Sequence, residues 1–222
     1  MSHLPIDLQI LNALAALLLL LSFAMLAQRR IVTLVDLLAL QGAILSLATL
    51  LLARRTGASH LFVSAALTFA LKVVFMRWLL RRLIRRLGVY WDSESLLNPV
   101  GTMLMGLLIV IFAFGLAQPI SALASTATRS SIGIAVAVIL ISFLMMITRR
   151  KATSQVVGFL SMENGLFFGA MSATYGMPMI VELGFALDLL VAMLLFGVFF
   201  FRIREQFDSL DLKHFESLKE EP

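Results

Sequence analysis

Two carboxylates placed near the middle of long apolar runs are the residues of this sequence best positioned to do chemistry. Glu163 sits in Ser161-Met162-Glu163-Asn164-Gly165, within an apolar run of about 154–175. Asp188 sits in Gly184-Phe185-Ala186-Leu187-Asp188, within a second run of about 179–201. As helices, with about 1.5 Å rise per residue, such runs cross a hydrocarbon core of about 30 Å. An ionisable group at that depth costs a few kcal/mol or more, and it marks an ion path, a proton relay or a counter-ion. A third such residue, Lys72, falls near the middle of a run at 60–80. Counted from the run limits, all three lie within a few residues of one plane. Two acids and one amine at a shared depth can pair, or pass a proton by changing charge in turn.

Local spacing adds to this. Ser64, Thr68 and Lys72 recur at i, i+4, i+8, a polar stripe on one helix face that a hydrated path could follow. Gly184, Asp188 and Ala192 share that spacing, so small residues flank Asp188 and allow a neighbouring helix to approach. Gly165 and Gly169 form a Gly-x-x-x-Gly pair on the side of the helix roughly opposite Glu163. One face is expected to pack while the other holds the acid. Asp36 and Glu182 lie near run ends, where solvation is cheap, and are further candidates. The structural alternative is that Glu163 and Asp188 serve only as hydrogen-bonded links between helices, with Lys72 a static counter-ion.

The elements that must position these groups follow from composition. The chain has 222 residues, 60% hydrophobic and 14% charged, where a soluble domain carries about 25% charged residues. It reads as an integral membrane protein. Cysteine is absent, which excludes a disulfide, a catalytic thiol and a thiolate-held iron–sulfur cluster. His3, His60 and His214 are scattered without ligand spacing, so neither a metal nor a cofactor is expected on this chain. Phosphate-loop, zinc-protease and serine-triad patterns are lacking, and the chain is not expected to be an enzyme on its own. The net charge of +5 does not point to nucleic acid, because the arginines cluster at the ends of apolar runs and report topology.

Seven runs are present, at about 8–28, 31–53, 60–80, 101–118, 131–148, 154–175 and 179–201. The first lacks a basic leader and a small-residue cleavage site and reads as a retained helix. If all seven cross the membrane, fourteen Lys and Arg fall on one side and three on the other, with Lys72 inside. The predicted fold is an all-α polytopic bundle of seven transmembrane helices, N-terminus outside and C-terminus cytoplasmic. Residues 1–120 form a four-helix part, 131–201 a three-helix part and 202–222 a cytoplasmic tail, with the Ser- and Thr-rich segment 121–131 as an outside loop between the two parts. The stretch Arg81-Arg82-Leu83-Ile84-Arg85-Arg86-Leu87 alternates arginine pairs with apolar residues. It predicts a helix in the headgroup layer that contacts anionic lipid or a cytoplasmic partner.

The stretch Gly158-Phe159-Leu160-Ser161-Met162-Glu163-Asn164-Gly165, then Val181-Glu182-Leu183-Gly184-Phe185-Ala186-Leu187-Asp188 and the exit Arg202-Ile203-Arg204, resembles the hydrogenase-4 component E family. That family belongs to formate-hydrogenlyase-type, group 4 membrane-bound nickel–iron hydrogenases. Thr68-Phe69-Ala70-Leu71-Lys72-Val73 resembles the family's lysine-bearing helix. The last three runs are similar to the small two-glutamate membrane subunit of respiratory complex I and of multisubunit sodium/proton antiporters. The resemblance matches Glu163 and Asp188 to those glutamates. The second acid is aspartate here, 25 residues after the first and closer than in complex I, so Glu182 stays open as its equivalent.

The resemblance implies a non-catalytic subunit of the bacterial cytoplasmic (inner) membrane. It would sit beside antiporter-like membrane subunits and a hydrogenase-like cytoplasmic arm, with Glu163, Asp188 and Lys72 as a proton relay. Two alternatives stand beside it: a subunit of a sodium/proton antiporter without a redox arm, and a structural anchor that docks cytoplasmic subunits through 81–92 and the tail.

Overall fold

Apolar runs of this length carry backbone N–H and C=O groups that lipid cannot satisfy, and helices satisfy them internally. The computed structural model describes residues 6–57, 59–87, 98–121, 126–174, 190–191 and 193–194. The chain divides into two units, 1–185 and 186–222. Residues 190, 191, 193 and 194 of the second unit are helical, and the architecture that follows is that of the first.

Helices α1 (Ile6–Ala27) and α2 (Ile31–Thr56) are followed by α3 (Ser59–Thr68), a π-helical segment (Phe69–Phe75) and α4 (Met76–Leu87), and then by α5 (Pro99–Ser121), α6 (Thr126–Thr148) and α7 (Ala152–Thr174). From Ser59 to Leu87 the backbone is one unbroken helical rod with the π segment at its centre. Among the described residues, six helices are long and apolar enough to cross a membrane. They coincide with the first six apolar runs. Of the seventh run, only the four helical positions named above are described. Glu182, Asp188 and the tail lie outside the described residues.

The arginine-rich segment continues the rod as helix through Leu87, as its spacing predicts. One detail differs from the sequence expectation. The expected loop 121–131 is shorter, because α6 starts at Thr126. Ala is the best helix former and Ser and Thr are only mildly unfavourable, so an adjoining apolar helix can extend through them.

The turns are built by side-chain and backbone bonds. Gln28 Oε1 accepts the backbone N–H groups of Arg29 and Arg30 at 2.9 and 3.1 Å, shaping the entry into α2. Gly57 ends α2 with φ +66°, a left-handed conformation that glycine adopts without Cβ strain.

Packing follows from small residues. Helices α1, α2, α7 and α6 contact one another in sequence around a closed ring, with the α3–α4 rod against α2 and α5 against α1 and α6. Leu18, Leu45, Ala48, Val138 and Phe168 are fully buried in the core cluster of the ring. A Cβ added at Gly165 would lie 2.9 Å from Val138 Cγ1, and one at Gly169 would lie 2.9 Å from Ala135 Cβ. The two glycines therefore set the approach of α7 to α6, as the Gly-x-x-x-Gly spacing predicts. Leu104, Leu108, Ile111 and Phe112 of α5 are exposed, which suits contact with acyl chains.

Candidate functional site

Lys72 lies within the π segment, where the wider turn departs from α geometry. Such segments are rare and often accompany function. Its neighbour on α2 is Gly42, and a Cβ there would stand 2.8 Å from Lys72 Cβ. The missing side chain lets the rod close on α2 at this level. From that position Lys72 Nζ donates a 2.8 Å hydrogen bond to Glu163 Oε1 of α7. The lysine is 6% exposed and the glutamate 2%. The shared depth read from the sequence is thus a direct ion pair, and Glu163 faces away from the glycine seam with α6.

Buried charges are tolerated when paired and hydrogen-bonded, since each loses several kcal/mol of hydration, about what good geometry must restore. Around the pair runs a layer of neutral polar groups. Asn164 Nδ2 donates to Gln41 Oε1 of α2 at 3.5 Å, the long limit of a hydrogen bond. Gln41 Nε2 donates to Ser22 Oγ of α1 at 2.9 Å, and Ser22 Oγ donates to Leu18 O at 3.0 Å. Ser142 of α6 donates to Ser161 of α7 at 2.8 Å. All five side chains are buried. One transverse polar layer therefore draws on α1, α2, the rod, α6 and α7. At 2.8 Å the ammonium and the carboxylate are in direct hydrogen-bond contact.

Asp36 stands apart from this layer. Its carboxylate accepts Arg77 Nε at 3.0 Å and Arg81 NH2 at 2.6 and 2.7 Å. All three side chains are roughly a third to two-fifths exposed.

Sequence reasoning overlooked three residues. Gln41 is fully buried, and its one signal was an amide beside a glycine within an apolar run. Gly42 admits Lys72. Arg149 stands in a basic cluster that reads from the sequence as a topology signal, but it is 4% exposed. It donates through NH2 to Leu26 O at 3.0 Å and Gln28 O at 2.6 Å. It caps the end of α1, whose last carbonyls lack intrahelical donors. Among the described residues no group of three or more His, Cys, Asp or Glu is placed to hold a metal ion.

Comparison with known proteins adds relatives. The chain is 34% identical over 194 residues to "Uncharacterized protein Rv0085" of Mycobacterium tuberculosis, covering 87% of this chain and 88% of that protein. It is 24% identical over 162 residues to "Hydrogenase-4 component E" of Escherichia coli K12, covering 73% of this chain and 75% of that protein. The same figures hold for hydrogenase-4 component E of Shigella flexneri. No protein-family model and no solved structure matches the chain. With hydrogenase-4 component E as a distant relative, the chain belongs to the family of the Mycobacterium tuberculosis protein Rv0085.

Proposed function

We propose that this chain is a non-catalytic integral membrane subunit of a hydrogenase-related, complex I-like complex, in which it takes part in proton or sodium translocation coupled to redox chemistry. The observation that carries the reading is the buried Lys72–Glu163 pair at 2.8 Å. The similarity to hydrogenase-4 component E supports the type of complex, and six helices able to cross a membrane suit the location. In this reading the arginine-rich end of the bundle faces the cytoplasm across a bacterial inner membrane, and a seventh helix carries Asp188 or Glu182 as a second relay acid. Residues 1–120 and 131–201 act as the two parts of the subunit. The chemistry at the metal belongs to other chains, and antiporter-like subunits are its neighbours in the membrane.

Purification of the complex from native membranes through a tag on this chain tests the assignment. Hydrogenase-like and antiporter-like subunits are expected together. Antiporter subunits alone would shift the assignment to a sodium/proton exchanger, and a solitary chain would overturn both. Within the complex, Glu163→Gln is expected to preserve assembly and abolish coupled translocation. Unchanged translocation would remove the relay role.

A second reading treats the pair as a static lock between the rod and α7, favoured by its direct contact and deep burial. Under it, Lys72→Met with Glu163→Leu would assemble and translocate normally.

A further inference from the structure

Ser22, Thr49, Thr56, Ser64, Thr102 and Thr148 each donate their hydroxyl to the carbonyl four residues earlier, at 2.8–3.0 Å. That back-bond is the ordinary solution for a hydroxyl in a helix. Thr68 departs from it, as do Ser131, Thr153, Ser154 and Ser172 among the described residues, and Thr68 is the one that stands a turn from Lys72. It is fully buried, and its Oγ1 has no hydrogen-bond partner among the described residues. It closes α3, one turn before Lys72, where the α-helix passes into the π segment. On the facing helix, Asn164 follows Glu163 directly, is 2% exposed, and has an Oδ1 that likewise lacks a partner among the described residues.

A buried hydroxyl left unsatisfied costs roughly 1–3 kcal/mol, a cost that a bound ligand at Thr68 would offset. Water is the ligand that fits. It can donate to one group and accept from another, and buried waters occupy polar interior sites with about three bonds each. A metal cation is disfavoured by the Lys72 ammonium one turn away, and an anion by Glu163.

Beyond Thr68, away from the arginine-rich end, α2 carries small and polar side chains among the buried apolar Leu45, Ala48 and Ala53, and one polar contact joins it to the rod. Gly42, Ser46 and Thr49 recur on one face of α2. Ser46 Oγ donates to Ala65 O of α3 at 2.8 Å, and Thr49 Oγ1 lies 3.3 Å from Met171 Sδ of α7. Ser64 continues the line one turn past Thr68.

We propose that Thr68 Oγ1 binds a buried water that joins Lys72 to this seam and gives the ion pair its outlet toward the arginine-poor end. The transport half of this inference rests on the proposed function; the water site itself does not. A proton from the Lys72 ammonium passes to the water, and one of the water's own protons passes on toward Ser64 and the surface. Lysine is left as the free amine beside the Glu163 carboxylate; a proton arriving at Glu163 from the second relay acid of the proposed function then passes to the amine and restores the ammonium–carboxylate pair.

The test uses the intact tagged complex in three forms: wild type, Thr68→Val, which keeps shape and removes the hydroxyl, and Thr68→Ser, which restores it. Cryo-electron microscopy at a resolution that shows ordered waters should place one within about 3.2 Å of Thr68 Oγ1. That density should vanish in Thr68→Val. Translocation in vesicles should fall at least roughly tenfold in Thr68→Val and recover in Thr68→Ser, as for loss of a positioned proton carrier. A map that resolves other buried waters but none at Thr68 overturns the site, and it does so from the wild type alone if the valine variant fails to assemble. Wild-type translocation by Thr68→Val, with Glu163→Gln blocked, overturns the outlet and leaves the proposed function standing. Wild-type translocation by Glu163→Gln overturns the proposed function and with it the outlet, and the density at Thr68 alone then decides the water site.

Discussion

Glu163 of α7 accepts a 2.8 Å hydrogen bond from Lys72 of the π segment, and both side chains are almost wholly withdrawn from the surface. Breaking such a pair from one side leaves an uncompensated charge in a low-dielectric interior, a loss of about 3–5 kcal/mol, whereas replacing both partners by apolar groups can be neutral. Lys72→Met alone is therefore expected to lower the thermal stability of the purified protein clearly. Combining it with Glu163→Leu should restore most of the loss. Equal destabilisation by the single and the double variant would show that the pair is not energetically coupled.

That pairing was legible in the sequence because depth along a helix is a matter of counting residues, and both groups count to the same level. What counting cannot supply is azimuth, which depends on neighbours. Gln41 and Ser22 are neutral and common enough in membrane helices to escape notice, yet Gln41 joins α1 to α7 through its two bonds. The π segment has no local signature in Phe69-Ala70-Leu71-Lys72-Val73-Val74-Phe75; its wider turn emerges only where the rod meets α2 at Gly42. Arg149 and Asp36 illustrate the same limit. Each stands near the end of an apolar run, but one is buried on carbonyls and the other half-exposed between guanidinium groups.

Gly42 is the position where a single methyl group should be felt most. A Cβ at 2.8 Å from Lys72 Cβ cannot be relieved by swinging a side-chain tip, because both atoms are fixed to their backbones. Gly42→Ala must push the rod off α2 or undo the π turn, at an overpacking cost of about 1–3 kcal/mol. The expected outcome is a lower midpoint of thermal unfolding together with weakened coupling between Lys72 and Glu163 in a double-mutant cycle. An unchanged midpoint would mean that the rod and α2 do not pack this closely.

Arg149 offers a prediction about salt. Its guanidinium donates to the Leu26 and Gln28 carbonyls from a buried position, so its contribution should be insensitive to ionic strength, unlike that of the exposed Asp7–Arg55 pair at 3.8 Å. Removing a charged donor from buried carbonyls costs about 1–3 kcal/mol. Arg149→Ala should lower stability by a similar amount in 50 mM and in 500 mM salt, two conditions chosen to span roughly a threefold change in screening length. A loss that fades at high salt would mark the residue as a surface charge after all.

Asp36 should behave in the opposite way. Its bonds to Arg77 and Arg81 are short, but all three side chains are partly open to solvent. Exposed ion pairs contribute about 0–1 kcal/mol and are screened by salt, although two guanidinium groups sharing one carboxylate place this cluster toward the upper end. Asp36→Asn keeps the shape and removes the charge. It is expected to cost no more than about 1 kcal/mol at low salt and less at high salt, and to leave the Lys72–Glu163 pair intact. If Asp36→Asn instead destabilised the protein as much as Lys72→Met, the carboxylate would belong to the buried polar layer, and the separation of the two sites along α2 would be lost.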